Sequence, residues 1–425
     1  VLVVEQYNFR RGESADAPRL KDLFNEFFSP SAVGKLAETV FHHLPDMEPQ
    51  NWFIAEKGAG LVAAFALVPW TLELEGIGLK VAEMAIVGTL EEHQGRGLMR
   101  RLNSDFDQAL AEGGYDLAMI QGIPGFYGQF GYNYALPLEN HINMPLHAIG
   151  ETKAGYAVRR ASNADIPFLL REDAAYRAAF SLSVHRDKAI WDYMLNASAD
   201  TEYASEFWLL ERGEQRFYFR VQQEGFGAGL IISEVSEDIS AEGMGALLAF
   251  GKKKAIERDK PYIRFNLSND SRPGKLVCSY GAEAGDLYTW QIKIPDKKRL
   301  LQKATPLLEK RLAASSFAGL SARLRLDFFR EKIDLIWQDG KLIGIETGSG
   351  DAEHSFCINA NLFPALCLGH RSWQELRHVQ PDIFPAGGLG GVSRSALCQK
   401  AGVDSRAILS IVVCWNIDTC VRMYW

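Results

Sequence analysis

Apolar and polar positions along the 425-residue chain switch repeatedly between two periods. NWFIAEKG (51–58), LVAAFALVPWTLELEG (61–76) and VAEMAIVGT (81–89) are dense in aromatic and β-branched residues around charged turns, a pattern that predicts strands. From Leu98 to Glu112, Leu98, Leu102, Phe106, Ala109 and Leu110 recur at helical spacing, so an amphipathic helix is predicted there. DLAMIQG then returns to the strand pattern. Strands alternating with helices predict an α/β arrangement.

The same order occurs a second time. RRGESADAP at 10–18 and RRASNADIP at 159–167 share Arg-Arg, Ala, Asp and Pro at positions 149 residues apart. In each copy the Asp stands just before a Pro suited to a helix's first turn, so a strand feeds a helix twice. FWLLERGEQRFYFRV, GLIISEV, GALLAFGKKKAIE and YIRFNL then repeat the strands, helix and strand of the first copy. Gly131 and Gly281 agree at an offset of 150, which one inserted residue explains. The remainder, from about Pro295, matches neither copy. DKKRLLQKATPLLEKRL predicts a charged helical connector, DLIWQDGKLIGIE predicts a hairpin turning on Asp339-Gly340, and INANLFPALCLGHRSWQELRHV predicts one or two helices. Three domains are expected, at 1–150, 151–296 and 297–425.

Composition narrows the class. With 47% hydrophobic and 23% charged residues the chain reads as globular, and its longest apolar run, ILSIVVCW, is too short for a membrane span. No signal-peptide pattern opens it, so a cytoplasmic location is expected. All six cysteines follow residue 277 without a CxxC pair, leaving no readable disulfide framework, metal site or thiol nucleophile in the first half. A formal charge of −7 disfavours nucleic acid as a partner; it suits a cationic substrate but ordinarily serves solubility.

Two glycine-rich strings compete as phosphate cradles. Gln222 to Gly227 joins two predicted strands, has no helix behind it, and reads as a hairpin turn. Gln94 to Met99 in EEHQGRGLMRRL follows a strand and opens a helix, where unpaired amides and the positive end of the helix dipole attract phosphate oxygens. Gly95 and Gly97 would let the backbone approach a pyrophosphate, and Arg96, Arg100 and Arg101 add positive charge. The bland alternative is a solvated basic helix start. In the second copy, SEVSEDISAEGMGALL puts Glu234, Glu237, Asp238 and Glu242 where phosphates would sit, so that copy is expected to bind no nucleotide.

VGTLEEHQGRGLMRRL followed by DLAMIQGIPGFYGQFGY resembles the GNAT superfamily of acyl-CoA-dependent N-acyltransferases. The overall layout resembles the enhanced intracellular survival family of multi-acetylating aminoglycoside acetyltransferases, which have one intact GNAT half, one degenerate half and a C-terminal domain similar to sterol carrier protein. The resemblance implies two tandem GNAT folds plus that α+β domain, with acetyl-CoA as co-substrate and no metal. Val87, Gly88 and Thr89 would offer strand backbone to the pantetheine arm. Gln94, Gly95, Arg96, Gly97, Leu98 and Met99 would hold the pyrophosphate, although the superfamily commonly has Gly or Ala where Met99 stands. It also implies that Tyr127 protonates the departing thiolate, with Tyr132 and Tyr134 as alternatives by proximity, and that the terminal carboxylate of Trp425 accepts the amine's proton. Glu83, on the same strand as Val87, is the second candidate for that base, while His93 is expected only to decorate the loop. Acceptors compatible with the likeness are aminoglycosides, other polyamines and lysine side chains, and homo-oligomers up to hexamers are implied. A binding protein that senses acyl-CoA, or carries an apolar ligand in its third domain, is the rival reading.

Overall fold

The computed structural model describes residues 7–31, 33–151, 155–201, 204–223, 225, 227–380 and 383–385. The first run of elements is β1 (Asn8–Arg11), α1 (Ala17–Phe27), α2 (Gly34–His43), β2 (Trp52–Lys57), β3 (Gly60–Leu74), β4 (Ile77–Thr89), α3 (Leu98–Gly113), β5 (Leu117–Ile120) and β6 (Asn133–Pro145). The second is β7 (Ala157–Arg160), α4 (Ile166–Ala179), β8 (Leu182–Val184), α5 (Lys188–Leu195), β9 (Ser205–Arg212), β10 (Gln215–Gln222), β11 (Leu230–Val235), α6 (Ala241–Glu257), β12 (Tyr262–Leu267), α7 (Arg272–Ser279) and β13 (Glu283–Lys293).

The repeated sequence makes a repeated joint. Arg10 grips Asp16 through two bonds of 2.6 and 2.7 Å, and Arg159 grips Asp165 through two of 2.9 Å. Each aspartate also accepts the backbone N–H three residues before it, from Glu13 or Ser162, at 2.8 Å. A forked guanidinium on a carboxylate is strong and directional, so it fixes the angle at which the first strand enters the following helix. Pro18 and Pro167 then occupy first-turn positions where the missing N–H is harmless.

Twelve strands follow one another in the order β1-β2-β3-β4-β5-β13-β6-β12-β11-β10-β9-β7, and β8 pairs with β3 to complete a 13-stranded sheet. The centre of this order is an exchange. β6, which closes the first run, does not pair with β5; it lies between β13 and β12, antiparallel to both. β13, which closes the second run, takes the place beside β5. Each run thus lends its last strand to the other, and no edge remains at the junction.

The final part holds α8 (Lys297–Lys303), α9 (Thr305–Ala313), β14 (Ala322–Asp327), β15 (Lys332–Gln338), β16 (Lys341–Thr347), β17 (His354–Cys357), α10 (Phe363–Cys367), α11 (Trp373–Val379) and β18 (Phe384–Pro385), with a sheet ordered β16-β15-β14-β17-β18. The predicted connector is two helices rather than one, because Pro306 opens a new first turn at α9. Asp339 and Gly340 both adopt positive φ, +48° and +78°, as a tight turn between β15 and β16 requires. Ion pairs of Lys303 with Asp116 (2.6 Å) and Arg311 with Glu75 (2.5 Å) tie this part to the first run, and its apolar residues join the core that contains Trp52 and Leu36.

α3 is seated on the sheet by Phe106, whose ring meets Phe53 and Phe65 at centroid distances of 5.5 and 5.6 Å. Leu98, Leu102 and Leu110 are buried beside it, so the helical spacing read from the sequence describes its buried face. Among the described residues, no helix is long and apolar enough to cross a membrane.

Candidate active site

β4 and β5 run parallel for only three residue pairs, from Val81–Leu117 to Glu83–Met119, and then part. The cause lies in β4. Ile86 and Val87 oppose a single residue of β3, since Ala64 pairs with Gly88 but Ala66 pairs with Ala85. Ile86 has φ +50°, a left-handed conformation that is strained for a β-branched side chain. Such a bulge bends its strand and interrupts the ladder. The parting opens a cleft of about 520 Å³ lined by β4 from Glu83 to Val87, by the turn from Ile120 to Pro124, and by Tyr127.

At one end of β4 stands the glycine loop. Gly95 and Gly97 have φ +70° and +79°, and a β-carbon added to either would meet nothing within 4 Å, so both expose their backbone. Gly97 is the N-cap of α3 and offers no side chain to cap the helix; the first bond there runs from the Arg101 N–H to the Gly97 carbonyl. The amides from Gly97 to Arg100 therefore have no intrahelical acceptors, and the positive end of the helix dipole stands behind them. The side chain of Gln94 bonds to the Thr89 carbonyl at 3.1 Å, and Arg96 Nε bonds to the Glu92 carbonyl at 3.2 Å. These contacts brace the loop, so Gln94 can offer an anion its backbone rather than its amide group. Leu98 is buried beneath the helix and Met99 is half-buried. His93 is buried against Tyr7, 3.0 Å from its hydroxyl, and does not line the cleft.

The strand residues divide between two tasks. Val87 faces the cleft, whereas Gly88 is a glycine for packing: a β-carbon there would lie 2.9 Å from the ring of Phe27 on α1. The carbonyl of Thr89 already accepts Gln94.

Tyr127 is 5% exposed, and burial raises its phenol to about 12. Its ring packs over Gly122, where a β-carbon would approach it to 2.2 Å, so only glycine fits. The Gly122 carbonyl in turn accepts Gln291 Nε2 at 2.8 Å and the Tyr288 hydroxyl at 3.2 Å, both from β13. A strand of the second run thus pins the turn on which Tyr127 rests. Tyr132, also buried, is 6.2 Å from Tyr127 between ring centroids, whereas Tyr134 is on the surface.

Glu83, the second candidate for the base, lies in the cleft. A glutamate on a strand is usually at the surface or paired across it, yet Glu83 is 3% exposed, lines the cleft and accepts Trp70 Nε1 at 2.8 Å. His141 of β6, Arg264 of β12 and Tyr288 of β13 line the same cleft and were missed altogether. No local pattern marks them, because the strand exchange alone carries them there. Trp425 lies outside the described residues.

The second run repeats this layout with different residues. Its parallel pair, β11 with β12, also lasts three residues, from Leu230–Ile263 to Ile232–Phe265. Glu234, expected at a surface where phosphates would sit, is instead buried beyond that point in ion pairs with Arg186 (2.8 Å) and Arg220 (3.1 Å), and accepts the Tyr218 hydroxyl at 3.1 Å. It is 1% exposed, and the guanidinium groups of Arg186 and Arg220 supply the opposite charge that a buried carboxylate needs. The start of α6 is closed as well, since Ser240 Oγ accepts the Gly243 N–H at 3.0 Å. Val277, aligned with Tyr127, is fully buried and apolar.

Among the described residues, no group of three His, Cys, Asp or Glu side chains could hold a metal ion. Residues 8–135 match the acetyltransferase (GNAT) domain family, and that segment contains the bulge, the loop and Tyr127. No curated protein is matched by the sequence. Among solved structures, the chain is similar to a GCN5-related N-acetyltransferase from Anabaena variabilis (14% identity, 98% of this chain and 99% of that one, TM-score 0.66). It is similar to a probable N-acyltransferase from Enterococcus faecalis (15%, 99% and 100%, TM-score 0.67) and to Eis1 from Mycobacterium abscessus (15%, 98% and 99%, TM-score 0.60). At these identities the likeness is one of fold. The fold is α/β and GNAT-like, and residues 8–135 form a GNAT-type acetyltransferase domain, an enzyme domain whose family reaction is acyl transfer from acetyl-CoA.

Proposed function

We propose that the protein transfers the acetyl group of acetyl-CoA to a primary amine by direct attack within a ternary complex. One observation carries this reading: an uncapped helix start with two open, left-handed glycines stands at the end of a strand whose bulge opens a cleft containing Tyr127. The amides of Gly95 to Met99 would hold the diphosphate, with Arg96 and Arg100 adding charge, and the pantetheine arm would run along Val87 into the gap between β4 and β5.

The amine nitrogen attacks the thioester carbonyl carbon, forming the C–N bond, and the C–S bond breaks as the oxyanion collapses. Tyr127 O–H gives its proton to the departing sulfur. A phenol held near 12 remains protonated at neutral pH and so has a proton to give as the C–S bond breaks; because it is a weaker acid than a thiol of about 8.5, that transfer runs uphill and is completed by reprotonation of the phenolate. Glu83 accepts the ammonium proton and returns it to solvent, from which the phenolate is reprotonated. The terminal carboxylate of Trp425, implied by the resemblance, is the competing base; Glu83→Gln and a chain lacking Trp425 separate the two by which one loses the acidic limb of the pH–rate profile.

The repeated element order and the Arg–Asp joint support a tandem of two GNAT halves with the second retired. The third part is proposed to be the sterol-carrier-like domain of the enhanced intracellular survival layout.

The test is thiol release from acetyl-CoA with a panel of primary amines. Tyr127→Phe should lower kcat by about 100- to 10,000-fold, the usual worth of a positioned acid, while acetyl-CoA still binds. If CoA thioesters bind but no amine accelerates thiol release, the protein is an acyl-CoA sensor and the transfer reading fails.

A further inference from the structure

Resting on the acetyl-transfer reading, the lining of the cleft bears on the acceptor. Its walls are largely apolar: Phe28 and Val33 come from the connection between α1 and α2 and Leu36 from α2, lining the same cleft as Ile86 and Val87 of the bulge. The rim is apolar too, with Ile123 64% exposed. Among the described lining residues Glu83 is the single carboxylate and Arg264 the single permanently charged cation. Arg264 is nearly buried and donates to Asn266 at 2.9 Å.

We infer that the acceptor is a monoamine on an apolar, arylalkyl-type body, with its ammonium at Glu83 and its ring against Phe28, Val33 and Leu36. Among the described lining residues, one ammonium finds one carboxylate. Each further ammonium of a polyamine or aminoglycoside would be stripped of water against an aliphatic wall, or set near the Arg264 guanidinium, and both placements are unfavourable. A ring, by contrast, gains from leaving water at that wall. Apolar walls with a few placed polar groups are the usual construction of a small-molecule pocket, and here the thioester end must share the same volume, which favours a compact acceptor.

The experiment compares 2-phenylethylamine, spermidine and kanamycin as acceptors for the full chain. The expected result is a kcat/KM for phenylethylamine at least tenfold above either polycation. Equal or better use of spermidine or kanamycin overturns the inference while leaving acetyl transfer intact. If none is acetylated, equilibrium binding to the CoA-saturated protein decides: tighter binding of phenylethylamine upholds the pocket's preference even though the transfer reading falls, and absent binding or tighter spermidine overturns it. Phe28→Glu, at a half-buried wall position, should shift the ratio at least tenfold toward spermidine. A folded Phe28→Glu protein with unchanged preference would remove Phe28 from the acceptor wall and defeat the inference; the wild-type panel stands even if that variant does not fold.

Discussion

At the scale of single residues, the site depends on backbone conformations that only some side chains tolerate. Gly97 sits at φ +79° with open space where a side chain would be, so replacing it meets no clash within the chain. The cost of Gly97→Val is conformational, roughly 1–2 kcal/mol for a left-handed residue, together with branched methyls placed where the diphosphate must approach. Acetyl-CoA affinity measured by calorimetry should fall more than tenfold; unchanged affinity would take the loop out of the site. Tyr127 belongs to a set of buried phenols. Burial raises Tyr127, Tyr132 and Tyr193, and it raises Tyr115 and Tyr288 as well. The folded state keeps these protons above pH 10, where the unfolded chain releases them. Their contribution to stability is therefore complete below about pH 10 and is lost as pH rises toward 12 and beyond. Urea midpoints measured from pH 8 to 11.5 should hold steady and then decline, and midpoints rising with pH above 10 would contradict this assignment.

At the scale of elements, the two halves run the same order to opposite ends. α3 begins on a bare glycine and α6 on a serine that caps it; β4 opens a cleft, and β11 carries a buried ion cluster at the corresponding place. Glu234, read from the sequence as repelling phosphate, is instead taken up in a buried cluster with Arg186 and Arg220. The glycine loop, the helix behind it and the turn at Asp339-Gly340 were legible because each is a local matter of φ angles and spacing. The bulge at Ile86 was not. Nothing in VAEMAIVGT marks which residue is extra until β3 is laid beside it. The burial of Glu83 was not legible for the same reason: an alternating strand says which residues share a face, not which face is covered. A further element-level prediction concerns β13. Gln291→Leu removes the 2.8 Å bond to the Gly122 carbonyl and should cost only about 1 kcal/mol of stability. It loosens the turn beneath Tyr127, so kcat should drop several-fold with KM for acetyl-CoA unchanged; a purely structural role would lower the melting temperature and leave kcat alone.

At the scale of the whole molecule, the exchange of β6 and β13 makes the halves interdependent. In a fragment of residues 7–151, β6 would lose both of its partners and β5 would expose a bare edge. Unpaired strands of this kind aggregate, so the fragment should be insoluble or fail to show native circular dichroism, whereas residues 7–296 should fold. A soluble, acetyl-CoA-binding monomer of 7–151 would show that the exchange is dispensable. Read alone, the chain determined its alternation of strands and helices, its repeat at an offset of 149, the strand-to-helix step at the Asp-x-Pro of each copy and the helix start at Gly97, because these rest on residues close in sequence. Tertiary structure decided which strands became neighbours, and with that which side chains reached the cleft. His141, Arg264 and Tyr288 arrive there from strands that could pair equally well elsewhere, since backbone hydrogen bonding is indifferent to sequence and only the packing of the whole sheet selects the partner.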